Sequence, residues 1–118
     1  MNQAKHVPYI KKLLLDLEYF KDLHTRNSNH VPRFIKIHGS NFQENGLPDI
    51  MILTPHINFW LELKRDWKDH PSAIQKYNIL SLAQYGFVTG FVVDDEYKSL
   101  WEDEKPIKLI DIIKHKLK

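Results

Sequence analysis

Asp49-Ile50-Met51-Ile52-Leu53-Thr54-Pro55-His56-Ile57-Asn58-Phe59-Trp60-Leu61-Glu62-Leu63-Lys64 contains two apolar runs separated by a short polar interruption. Pro55 cannot donate to a strand ladder, so the first run stops there, and the second resumes at Phe59. Two strands so close together are expected to form an antiparallel hairpin. Asp49 and Glu62 then stand on opposite arms, several positions from the turn and toward the same end. Side chains alternate along a strand, so Trp60, Glu62 and Lys64 share one face while Leu61 and Leu63 pack on the other.

Working outward, Val7, Ile10, Leu13, Leu14, Leu17 and Phe20 recur at three- and four-residue intervals. That spacing predicts an amphipathic helix over 7–20, and the polar stretch His24 to Pro32 predicts the loop that follows. Phe34, Ile35 and Ile37, ended by Gly39, read as a strand, and Ser40 to Gly46 as an exposed connection. Beyond the hairpin, Pro71 suits a first helical position, Ile74, Ile79, Leu82 and Ala83 mark the helix, and Gly86 fits its C-cap. Phe87 to Val93 reads as a further strand, with Gly90 marking a bulge or a close approach. After an acidic turn, Asp94 to Glu104, Pro106 is placed to open a last helix through Ile107, Ile110, Ile113 and Leu117. The order αβββαβα specifies an α/β protein: one mixed β-sheet flanked by helices, in a single domain spanning 1–118.

At 118 residues with 42% hydrophobic and 27% charged residues, the chain has the composition of a packed domain and no room for a second. The absence of cysteine removes disulfides, thiolate catalysis and cysteine-based zinc sites. No apolar run approaches the ~20 residues of a membrane span, and no basic segment and apolar block follow Met1, so a cytoplasmic protein without a membrane partner is expected. The net charge of +2 and pI of 8.8 are compatible with a polyanionic partner and do not specify one.

The chemistry concentrates on the hairpin. Glu62 stands in an otherwise apolar strand, where an ionised carboxylate is costly unless a cation or donors compensate it. Asp49 and Glu62 offer hard oxygen ligands to a divalent metal, and the backbone carbonyl of Leu63 offers a third. Mg²⁺ held by one or two carboxylates keeps several waters and can promote hydrolysis of a phosphodiester. Lys64 would then stabilise negative charge at phosphorus or orient the attacking water. The ordinary alternative is an exposed Glu62–Lys64 ion pair, worth about 0–1 kcal/mol, with Asp49 capping the turn after Pro48. The seven histidines include no His-x-x-x-His spacing, which disfavours zinc hydrolysis, and no Gly-rich phosphate loop is present.

Pro48-Asp49 and Glu62-Leu63-Lys64 resemble the signature of the PD-(D/E)XK nuclease superfamily. With Lys36-Ile37-His38-Gly39-Ser40, Gly46-Leu47-Pro48-Asp49, Arg65 and Gln75, the region from about Phe34 to Val93 is similar to the virus-type replication-repair nuclease (VRR-NUC) family. The resemblance implies a restriction-endonuclease-like fold and a Mg²⁺- or Mn²⁺-dependent endonuclease. Asp49 and Glu62 would be ligands, Lys64 a base or electrostatic stabiliser, and Gln75 a site residue on the next helix. Gln75 also fits a capping box with Ser72. The resemblance further implies a DNA substrate, branched or junction-containing, in a bacterial or phage-infected cell.

The chain departs from the family in lacking its first-helix acid: Asn2 and Gln3 stand in the early part, while Asp16 and Glu18 come later. His38 is a candidate to approach a phosphate, with a structural histidine as the alternative. Lys36, Arg65, Lys68, Lys76 and Arg33 are candidate backbone-phosphate contacts. Trp67 would either stack on an unpaired base or cover a hydrophobic edge. A two-fold homodimer would present two sites to two strands. The competing function is a nucleic-acid-binding module that keeps a nuclease fold without turnover.

Overall fold

The computed structural model describes residues 3–26, 32–37, 46–102 and 105–117. The chain runs α1 (Gln3–Leu15), α2 (Glu18–Arg26), β1 (Arg33–Lys36), β2 (Ile50–Leu53), β3 (Asn58–Lys64), α3 (Ala73–Ala83), β4 (Phe87–Val93), β5 (Glu96–Lys98), β6 (Ile107–Lys108) and α4 (Leu109–Lys116). The strands form one six-stranded sheet in sequential order. Every neighbouring pair is antiparallel except β3 and β4, which run parallel and are joined through α3. The α/β class, the mixed sheet and the β2–β3 hairpin are as the sequence leads one to expect.

Strand alternation sorts the side chains into two layers. Ile50, Ile52, Phe59, Leu61, Leu63 and Val92 face a core closed by Ile10 and Leu14 of α1, Phe20 of α2, and Leu109 and Ile113 of α4. On the opposite face Ile79 of α3 packs with Phe91, Trp101 and Trp67. The β3–β4 register pairs Leu63 with Val92 and Glu62 with Phe91, so Glu62 lies in the middle of the sheet on the α3 side.

Several boundaries differ from the sequence reading. The predicted helix over 7–20 is two helices, α1 beginning at Gln3 and breaking before Glu18. Near the break the Leu17 amide bonds the Leu14 carbonyl three residues back, a tightened turn rather than continued α-helix. The spacing hides this, because Leu17 and Phe20 keep helical intervals across the break. Helix α3 starts after Ser72, whose hydroxyl caps the Gln75 amide, so Pro71 precedes the cap instead of opening the helix. Gly86, with φ of 90°, lies two residues beyond the C-cap Gln84. The supposed acidic turn contains β5, and Ile107 belongs to β6, so α4 opens at Leu109. Strands of three and two residues are too short to show a period.

Gly90 is a close-approach glycine. A Cβ there would stand 2.2 Å from the Tyr97 ring and 2.7 Å from the Lys98 carbonyl. The Tyr97 ring crosses β4 over Gly90, and its hydroxyl donates to the Thr89 carbonyl at 2.7 Å.

Candidate active site

Pro48 prepares the position of Asp49. It is buried, its ring fixes φ, and its carbonyl accepts the Trp60 Nε1–H at 2.9 Å, tying the entry of β2 to β3. The Asp49 carbonyl accepts the Ile37 amide at 2.8 Å, and its Oδ2 accepts the Leu63 amide at 2.9 Å. The carboxylate is thus held from two strands. One step beyond the Ile50–Leu61 pair, Asp49 falls opposite Glu62 on the α3 face.

The N–H and C=O of one strand residue point to the same edge. Because the Leu63 N–H reaches Asp49, the Leu63 carbonyl also faces the edge where β2 has ended. That is the place the sequence reading gave it as a third oxygen donor.

Glu62 is 3% exposed, so the picture of an ion pair on a solvated strand does not hold. Its Oε1 accepts the Gln75 side-chain N–H at 3.4 Å, while Oε2 is buried without a hydrogen-bond partner. Burial first, and then the negative charge of Asp49, push the Glu62 carboxyl up to about 9, against the opposing pull of Lys64. Lys64 Nζ donates to Gln75 Oε1 at 3.1 Å, and that oxygen also accepts the Ser72 amide at 2.9 Å. Both readings of Gln75 therefore hold: it completes the Ser72 capping box and bridges Glu62 to Lys64.

These groups line one cavity of about 360 Å³, with His6, Asp49, Glu62, Leu63, Lys64, Arg65, Asp69 and Gln75 on its walls. It opens near the carboxyl ends of the parallel pair β3 and β4, a common place for ligand sites in α/β sheets. Among the described residues no three His, Cys, Asp or Glu side chains are grouped to hold a metal by themselves. An ion here would rely on Asp49, Glu62, the Leu63 carbonyl and water. The partnerless Glu62 Oε2 beside a second carboxylate fits that requirement, because a cation would neutralise a pair that otherwise favours holding a proton.

The remaining candidates are more dispersed. Arg65 is exposed at the cavity rim, and Lys68 is exposed on the β3–α3 connection. Lys76 lies in the first turn of α3. Lys36 pairs with Ile50, which places it on the sheet face opposite Glu62 and Lys64. Arg33 is exposed at the start of β1. His38 lies outside the described residues. Trp67 packs against Trp101, with ring centroids 5.3 Å apart, and Lys98 Nζ stands 4.8 Å from its ring, so it covers an apolar edge.

Two cavity residues escaped the sequence reading. Asp69 comes from the loop before α3, where no periodicity singles it out. His6 comes from α1, and its signal is legible in retrospect: His6, Ile10 and Leu14 follow at four-residue steps along one buried stripe. Glu18, by contrast, is exposed in the first turn of α2. Comparison with protein-family models, curated proteins and solved structures finds no match to this chain.

Proposed function

We propose that the chain is a divalent-metal-dependent nuclease that hydrolyses phosphodiester bonds of DNA, with Asp49, Glu62, Lys64 and Gln75 in its active site. The observation that carries this reading is the buried Glu62 carboxyl, one oxygen partnerless, beside Asp49 in a polar cavity that also holds a lysine. The resemblance of Pro48-Asp49 and Glu62-Leu63-Lys64 to the PD-(D/E)XK signature supports the same reading.

Asp49, Glu62 and the Leu63 carbonyl would hold Mg²⁺ or Mn²⁺. When bound, such an ion supplies a Lewis acid for the phosphate and favours ionisation of water. Lys64 places a positive charge where negative charge grows on the phosphate oxygens, and Gln75 fixes the lysine against Glu62. Arg65 at the rim, with Lys68 and Lys76 nearby in the chain, provides backbone-phosphate contacts. A preference for branched DNA and a two-fold dimer belong to the same proposal.

The test is incubation of purified protein with labelled duplex, flap, fork and four-way-junction DNA, in Mg²⁺, Mn²⁺ or excess chelator, beside Glu62→Ala. Cleavage that needs both metal and Glu62 supports the nuclease. The second reading, a binding module without turnover, draws on the lack of a three-ligand cage among the described side chains. DNA binding without cleavage in every metal would favour it.

A further inference from the structure

His6 has no task in the chemistry set out above, yet it lines the same cavity as Asp49, Glu62 and Lys64. It is 1% exposed. Its Nε2 lies 3.1 Å from the Asp94 backbone carbonyl. A carbonyl oxygen can only accept, so Nε2 carries the hydrogen and the neutral ring keeps its lone pair on Nδ1. Asp94 sits at φ of 53° in the two-residue connection between β4 and β5, a conformation aspartate tolerates better than most residues. The acceptor that sets the tautomer is therefore backbone of a paired hairpin, not a side chain free to turn away.

Hydrolysis of a phosphodiester needs a group to receive the proton of the attacking water. Lys64 is an ammonium with donors and no lone pair, and one donor is engaged by Gln75. Asp49 and Glu62 are the cation's ligands. We infer that His6 is a further catalytic residue, whose Nδ1 accepts the proton of the attacking water; this rests on the nuclease reading. As the water oxygen bonds to phosphorus, its proton passes to Nδ1. The bond from phosphorus to the leaving sugar oxygen breaks, that oxygen takes a proton from solvent, and the imidazolium later returns its proton to water. The role explains why a first helix that offers no acid to the cavity directs a histidine there.

The experiment compares the full chain with His6→Gln and His6→Ala on labelled duplex and junction DNA, alongside Mn²⁺ binding by calorimetry, DNA binding and thermal melting. Glutamine can keep an N–H directed at Asp94 while lacking a basic nitrogen. The expected result is a fall in turnover of roughly 10²- to 10⁴-fold for His6→Gln, with Mn²⁺ and DNA affinities unchanged. Added imidazole should restore part of the rate of His6→Ala. A His6→Gln variant that cleaves at the wild-type rate overturns the inference and leaves the Asp94 bond as structural. Loss of Mn²⁺ affinity in His6→Gln overturns it in favour of a ligand role. Wild-type protein that cleaves in no metal overturns the nuclease reading and this inference together. If His6→Ala does not fold, His6→Gln decides alone.

Discussion

The Asp49 carboxylate accepts the backbone N–H of Leu63 at 2.9 Å, across the end of the hairpin. One side chain thereby serves the backbone of β3 and the cavity together, and the two services can be separated by substitution. Asp49→Ala should lose metal-dependent cleavage and also about 1–3 kcal/mol of stability, because the Leu63 amide loses its acceptor. Asp49→Asn keeps an acceptor oxygen, so it should lose cleavage with a much smaller change in stability. Cleavage assays paired with urea denaturation check both; an Asp49→Asn protein that still cleaves at the wild-type rate would remove Asp49 from the site.

Glu62 makes stability depend on pH in a definite direction. Its folded-state value of about 9 lies above the ordinary 4.5, so the folded state binds more protons than the unfolded state between these limits. In metal-free buffer this contribution is fully present below about pH 4.5 and is lost as pH rises through about 9. Glu62→Gln should flatten this part of the profile, as read by denaturant midpoints across that range. An identical pH dependence in wild type and Glu62→Gln would show that the carboxyl is not the source.

The same proton links metal binding to pH. A cation at Asp49 and Glu62 must displace it, so Mn²⁺ binding near pH 7 should release close to one proton and tighten as pH rises. Calorimetry in buffers of different ionisation enthalpy measures the release; Mn²⁺ binding without proton release would place the ion elsewhere.

Ser72 and Gln75 share a capping box but differ in what else they touch. Ser72→Ala should cost about 1 kcal/mol and leave cleavage nearly intact. Gln75→Ala should cost a similar amount and also lower turnover, because Lys64 and Glu62 lose their common partner. Thermal melts and single-turnover rates separate the two; equal activity in both variants would confine Gln75 to the cap.

Gly90→Ala tests the packing of β5 on β4. The added methyl would meet both the Tyr97 ring and the Lys98 carbonyl, and the second cannot move without shifting the strand. A loss of at least about 1–3 kcal/mol is expected. A near-neutral change in the denaturation midpoint would contradict the observed crossing of Tyr97.

The sequence by itself determined what depends on local pattern. Apolar runs broken by Pro55 specify the β2–β3 hairpin, alternation puts Glu62 and Lys64 on one face, and Pro48-Asp49 identifies the opposing carboxylate. The period around Ile79 and Leu82 places α3 between β3 and β4. Tertiary structure alone decided the rest, because burial and pairing depend on groups distant in the chain. The two-residue strand β6 exists only because β5 pairs with it, and Gln75 joins its cap to Lys64 only because α3 packs over β3. His6 reaches a site built from residues far along the sequence because its partner is a backbone carbonyl, an acceptor every residue carries and no sequence pattern marks.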